Sequence, residues 1–383
     1  MMRTTTTIKK IAAALLALLL LLAASPAAGA ASVATSAQGA ILIEAETGRV
    51  LWSQNADRKL PMASTTKIIT AITALEHADP AEVVRVDPAA VGIEGSSIYL
   101  AAGEELTLEQ LLYGLMLRSG NDAAVAIAIH VAGSVADFAA LMNETAARAG
   151  ATNTQLMNPH GLHHPDHYTT AADLARITAY AMRNEIFARI VSTRTATIPK
   201  AGESWNRILN NKNRILWQYS GGNGVKTGYT RAAGRCLVSA ARRDGMQLIA
   251  VVLNCGPMFE DSMALLDYGF AHYEYRCVLE AGVHIADLPL TRAMDDHVAL
   301  IARQSIRLPL KRDGSETPVF AVDVLNTWQG EILFGQEAGR VIARVGDMSA
   351  ESPLMAARSI AQSTLINRLK EQIRRWYTRF AGS

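Results

Sequence analysis

The sequence predicts an α+β fold, and three observations carry that prediction. Strand-like segments stand at both ends of residues 31–277 and enclose a helical middle. Short alternating strands then fill 278–350, and a basic amphipathic segment closes the chain over 351–383. An antiparallel sheet assembled from both ends of the first region, with helices covering it, buries both kinds of element.

The elements follow in order. Residues 1–30 read as a secretory signal: Arg3, Lys9 and Lys10 precede the apolar run "IAAALLALLLLLAA", and small residues lead to Ala30. The rest of the chain is therefore expected outside the cytoplasm. "GAILIEAETGRVLWSQNAD" reads as two strands around a turn at Glu46-Thr47-Gly48. Pro61 precedes a helix from about Ser64 to His77. Thr107 with Gln110 forms a capping-box pattern ahead of "LEQLLYGLMLR", and Gly120 breaks that helix. "DAAVAIAIHVA" is apolar on nearly every face, as a buried helix is. Ser134 with Asp137, and Thr170 with Asp173, open two more helices. "GVKTGYT", "GRCLVSAARR" and "QLIAVVLN" are strand-like, with a tight turn at Asp244-Gly245. A helix over "FEDSMALLDYGFAHY" follows.

Beyond it, "HVALIA", "SIRLPL", "TPVFAVDVL" and "RVIARV" are short strands of a small separate β domain. In the last helix, Leu365, Leu369, Ile373, Trp376 and Phe380 share a face. Arg368, Lys370, Arg374, Arg375 and Arg379 lie largely elsewhere, a pattern that suits a membrane surface with anionic lipids.

Composition narrows the function. The chain has 383 residues, half of them hydrophobic, with a formal charge of +2. That balance gives no reason to expect nucleic-acid binding. Three cysteines, Cys236, Cys255 and Cys277, are too few for a disulfide framework and form no C-x-x-C zinc pattern. "HGLHHPDH" holds His160, His163, His164 and His167, but Gly161 and Pro165 break any helix that would preset an i, i+4 metal pair. No metal and no cofactor is expected.

The chemistry begins at "PMASTTKIIT", residues 61–70. Lys67 follows Ser64 by three residues in an apolar setting, and i, i+3 residues of a helix share a face. A serine hydroxyl needs a base, and a lysine in a dry pocket gives up its proton easily enough to be one. Alone, S-x-x-K is common. Here "SGN" (Ser119 to Asn121) follows at a helix break and "KTG" (Lys226 to Gly228) on a strand. S-x-x-K, S-x-N and K-T-G in that order mark penicillin-binding proteins and class A β-lactamases.

With "ASTTK", "LMLRSGNDAA", "NPHGL", "HYTTAADLA" and "GVKTGYT" in place, the sequence resembles the serine-type D-alanyl-D-alanine carboxypeptidases, the low-molecular-mass penicillin-binding proteins. The resemblance implies a penicillin-binding/β-lactamase-like domain, then the β domain and the amphipathic tail. It implies Ser64 as nucleophile, Lys67 as its base and Ser119 as a proton relay. It gives Asn121, Lys226, Thr227 and the backbone N–H of Tyr229 to the substrate, with Asn121 also helping to fix Lys67 and the Ser64 N–H as second oxyanion donor. The implied partners are peptidoglycan stem peptides ending in D-Ala-D-Ala, β-lactams as covalent inhibitors, and the outer face of the cytoplasmic membrane. Some relatives carry a basic residue after the strand "LIAVVLN"; here Asn254, Cys255 and Gly256 follow, so a second carboxylate anchor stays unassigned.

Rival readings are a β-lactamase, a DD-endopeptidase on cross-linked wall and a silent peptidoglycan-binding scaffold. The first needs an E-x-x-L-N loop. The one Leu-Asn pair between Ser119 and Lys226 is Leu209-Asn210, and Asn206 stands where the glutamate would be.

Overall fold

The computed structural model describes residues 33–380, with the side chains of 371 and 374–380 excepted. The signal segment and the faces expected of Trp376, Phe380 and the last arginines lie outside what is described.

Five antiparallel strands form the main sheet, in the order Val50–Gln54, Gly39–Glu44, Met246–Leu253, Gly234–Arg243, Gly222–Thr230. The first two come from the start of the region and the last three from its end, as the sequence predicts. Gly39–Glu44 is buried along its whole length because helices cover both faces of the sheet. Ile41 and Ile43 face the larger, helical core. On the other face the helix Met258–His272 comes close at Gly269, where a Cβ would lie 2.5 Å from Leu248 and 2.9 Å from Leu42.

The helical middle follows its caps. Thr107 and Gln110 exchange both bonds of a capping box, and Ser134 and Thr170 accept from the N–H groups of Asp137 and Asp173. Lys67–His77 lies at the centre, packed against Asn121–Ala132, Val135–Arg148 and Ala171–Met182. Buried residues fill nearly every face of Asn121–Ala132, which explains its weak amphipathic pattern.

Several elements were not foreseen: the hairpins Val83–Arg85/Glu105–Thr107 and Thr195–Ile198/Arg207–Asn210, and the helix Glu185–Ser192. The β-rich region also has wider bounds than 278–350. Tyr273–Leu279 already pairs with Ile306–Lys311, Met348–Ala356 runs past residue 350, and a bridge joins Ala293 to Gln362. Only then does the helix Leu365–Phe380 begin. The three cysteines are free thiols; Cys236 and Cys255 are buried.

Candidate active site

Ser64 lies in a 3-10 turn, Ala63–Thr66, that runs directly into the helix Lys67–His77. Two threonines lock the turn: Thr65 Oγ1 donates to Met62 O at 2.6 Å and Thr66 Oγ1 to Ala63 O at 2.8 Å. The Lys67 Nζ lies 3.2 Å from Ser64 Oγ, 2.7 Å from Asn121 Oδ1 and 2.6 Å from the carbonyl oxygen of His160. The last two are fixed acceptors that occupy two N–H bonds. The third direction points at the serine hydroxyl.

Lys67 is fully buried, and its pKa lies well below the ordinary lysine value. Burial is the main cause; Lys226 and Lys212 lower it further, while the Asp122 carboxylate opposes them. Its place at a helix N-terminus adds to the penalty on positive charge. A neutral Lys67 keeps two N–H bonds on Asn121 and His160 and turns its lone pair to Ser64.

Each acceptor is held from behind. Gly161 has φ +83°, and a Cβ there would lie 2.0 Å from Ala63 O, so only glycine lets "NPHGL" approach the nucleophile turn. Asn158 Oδ1 accepts from Gly161 N at 2.7 Å, and Thr70 Oγ1 donates to Pro159 O at 2.7 Å. The amide of Asn121 is oriented by its nitrogen, which donates to Glu94 O. The resemblance gave Asn121 both to the substrate backbone and to the fixing of Lys67. Here its oxygen is committed to Lys67 and one N–H to Glu94, so positioning the base is its visible work.

Ser119 is buried and left-handed, φ +66°, between the π turn Gly114–Arg118 and the helix Asn121–Ala132. Asp122 fastens this loop. Its carboxylate accepts from Ser97 Oγ at 2.5 Å and from Ile98 N and Leu100 N at 3.1 Å each.

The third motif lies on Gly222–Thr230, an edge strand of the main sheet. An edge strand leaves outward backbone groups free to pair with an extended peptide. At Gly228 a Cβ would lie 3.1 Å from each of Met62 O, Ser64 N and Thr65 N, so the strand abuts the nucleophile turn backbone to backbone. The Tyr229 side chain is 68% exposed, leaving only its backbone for the site. Lys226 is buried, and its Nζ donates to Thr227 O at 2.9 Å. Burial first, and Lys212 second, push its pKa down to about 7.

Lys212 was not foreseen. Its N–H donates to Leu117 O at 3.2 Å, and its Nζ lies 3.3 Å from Ser96 Oγ. Burial and then Arg118 lower its pKa. Lys212 lowers both Lys67 and Lys226, and Arg118 in turn lowers Lys212, so cations crowd this side of the serine–lysine pair.

The histidine cluster has structural work. His167 Nδ1 accepts from Met157 N at 3.0 Å, so its Nε2 carries the proton toward Thr66 Oγ1 at 2.9 Å. Burial holds His160 and His167 at about 4, hence neutral at pH 7. Among the described residues no group of three or more His, Cys, Asp or Glu side chains is placed to hold a metal ion.

A family model described as D-alanyl-D-alanine carboxypeptidase matches residues 25–256. The D-alanyl-D-alanine carboxypeptidase DacF of Bacillus subtilis (strain 168) is 31% identical, over 90% of this chain and 91% of its own. DacB2 of Mycobacterium tuberculosis, of the same description, is 37% identical over 61% of this chain and 82% of its own. Among solved structures, penicillin binding protein 5 from Haemophilus influenzae superposes with a TM-score of 0.68 at 27% identity, covering 86% of this chain and 98% of that one.

Proposed function

The chain belongs to the D-alanyl-D-alanine carboxypeptidase family, and from that premise we propose that it removes the terminal D-alanine of peptidoglycan stem peptides through an acyl-enzyme at Ser64. The observation that carries this reading is the Lys67 Nζ, held by two fixed acceptors with its third direction toward Ser64 Oγ. The peptide lies along the edge strand Gly222–Thr230, and its terminal carboxylate meets Lys226, Thr227 and Lys212.

Ser64 Oγ forms a bond to the carbonyl carbon between the two D-alanines as its proton passes to Lys67. The N–H groups of Ser64 and Tyr229 receive the oxyanion, where preorganised donors contribute most. Collapse breaks the C–N bond, and the proton returns from Lys67 through Ser119 to the departing amine. Water, deprotonated by Lys67, then releases the shortened peptide. The test is release of D-alanine from a pentapeptide ending in D-Ala-D-Ala, together with acylation by labelled penicillin. Label on any residue other than Ser64, or no release by folded protein, overturns the reading.

Penicillin is expected to stay bound. Leu209-Asn210 lies on the hairpin strand Arg207–Asn210 with Asn206, not glutamate, before it. The Asn210 side-chain oxygen accepts from Thr195 Oγ1 at 3.0 Å. Nothing there activates a deacylating water, so rapid turnover of penicillin would contradict this assignment.

The pH profile follows from the two buried lysines. Lys67 must be neutral, so activity rises with pH through its depressed pKa. Lys226 must be charged to hold the carboxylate, so kcat/KM falls as pH passes about 7. A bell is expected, and Lys226→Arg, which does not titrate, removes the alkaline limb. An alkaline limb that persists unchanged in Lys226→Arg would assign it to another group.

Export and membrane attachment complete the reading. They are supported by the basic-then-apolar start of the sequence and by Leu365, Ile366, Leu369 and Ile373, all exposed on the C-terminal helix. A chain ending at residue 363 is expected to lose binding to anionic vesicles; undiminished sedimentation with them would refute the role of that helix.

A further inference from the structure

A cavity of about 200 Å³ lies immediately beside the catalytic loops, lined among others by Ser97, Tyr99, Arg118, Lys200, Trp205 and Ile208. Ser97 and Arg118 are next in sequence to Ser96 and Ser119. Ser96 is itself part of the site: its carbonyl accepts from Asn121 N at 2.7 Å and its Oγ lies beside Lys212. The cavity therefore continues the cleft on the side of the helix break.

Its apolar residues are turned out toward water. Tyr99 is 80% exposed, Ile208 67% and Trp205 52%. Tyr99 is also left-handed, φ +60°, an uncommon and costly conformation for a bulky residue. A buried ion pair maintains it. Arg207 is bound to both carboxylate oxygens of Glu104, and its remaining N–H bonds reach Ile98 O at 2.8 Å, Tyr99 O at 2.9 Å and Pro199 O at 2.6 Å. Arg207 thus clamps the loop bearing Tyr99 to the hairpin turn bearing Lys200 and Trp205. Folding gains nothing from an aromatic ring held in solvent at a strained backbone angle; ligand binding does.

The charges choose the ligand. Arg118 and Lys200 line the cavity, and Lys212 lies next to it through Ser96. The Lys200 ammonium lies 4.1 Å from the Trp205 ring centre and 3.8 Å from Glu203. Glu104, the other carboxylate at this turn, is spent on Arg207. Cations beside aromatic faces fit a carboxylate on an apolar stem.

We infer that this cavity is a second subsite, which takes a carboxylate-bearing residue of the substrate peptide upstream of its D-Ala-D-Ala end. This rests on the carboxypeptidase reading above and deepens it: Lys226 and Lys212 hold the terminal carboxylate, while Trp205, Lys200 and Arg118 select the acidic part of the strand. Trp205 and Lys200 touch no reacting atom.

The test uses the full chain and three substrates: a short acylated D-Ala-D-Ala peptide, a pentapeptide with a free upstream carboxylate, and the same pentapeptide with that carboxylate amidated. Lys200→Ala/Trp205→Ala is expected to lower kcat/KM on the acidic pentapeptide about tenfold, the effect of one charged contact. The short substrate stays within about twofold, and the preference for acid over amide disappears. Equal losses on short and acidic substrates, or no loss on the acidic one, overturn the subsite. A wild-type chain that cleaves none of the three overturns the carboxypeptidase reading instead. In the Ser64→Ala background, calorimetry with the acidic pentapeptide reads the same loss as affinity, without turnover.

Discussion

Ser64→Ala, Lys67→Met and the double variant should each lose acylation by about ten-thousandfold or more, and the double variant should be no slower than either single one. The reason is geometric. The Lys67 Nζ lies 3.2 Å from Ser64 Oγ, and its other two directions are filled by Asn121 and His160, so nucleophile and base act as one unit. Removing either removes what the other contributes. Lys67→Arg should fail almost as badly, because a guanidinium keeps its proton in any setting. Unfolding should not be the cause in Lys67→Met: burying Lys67 at pH 7 costs the fold the work of removing its proton, which methionine does not require, so the melting temperature should not fall. Second-order acylation by labelled penicillin measures all four variants on one scale. A double variant slowed by the product of the two single effects would mean that Ser64 and Lys67 work independently, and the proposed pair would be wrong.

What made this unit legible was local. Ser64 and Lys67 are separated by one turn, so the sequence alone places them on one face, and the 3-10 turn into Lys67–His77 keeps them there. Thr107, Ser134 and Thr170 announced their helices for the same reason: a cap is written within four residues. What controls Lys67 is not local. The His160 carbonyl arrives from a loop ninety-three positions away, through a backbone atom that any residue type could supply. "NPHGL" is conspicuous as a motif, yet its meaning appears only when Gly161 is seen against Ala63 O. Lys212 hid in "NNKNR", where a charged residue next to asparagines reads as an ordinary surface turn. Arg207 and Glu104 were equally silent, since a charge pair formed between a loop and a distant hairpin strand has no sequence spacing to betray it. The boundary at 278 moved for another reason. "FAHYEYRCVL" passes from helix to strand with no glycine or proline between, so nothing marks the point at which Tyr273 begins to pair with Lys311.

Gly228→Ala is the second substitution with a large expected effect, and it acts without touching any catalytic side chain. Its added methyl would sit 3.1 Å from Met62 O, Ser64 N and Thr65 N. All three are backbone atoms of a turn locked by Thr65 and Thr66, so no flexible side chain can swing aside. The edge strand and the nucleophile turn must separate by a few tenths of an ångström, and the Ser64 and Tyr229 N–H groups separate with them. Loss of one well-placed oxyanion donor costs about 100- to 1000-fold in kcat, and the same loss is expected here. The fold should survive, because Gly228 is in ordinary strand conformation and the strain falls on a surface cleft. Lys67 keeps Asn121 and His160, so the acid limb of the pH profile should stay where it is in the wild type. That combination separates an oxyanion defect from a damaged base, which would move the limb. Gly161→Ala is the contrast: with φ +83° and a methyl 2.0 Å from Ala63 O, it should cost stability and move the acid limb together. A Gly228→Ala enzyme that keeps kcat within about threefold of wild type would show that the oxyanion donors do not sit at this junction, since displacing such a donor has a far larger effect.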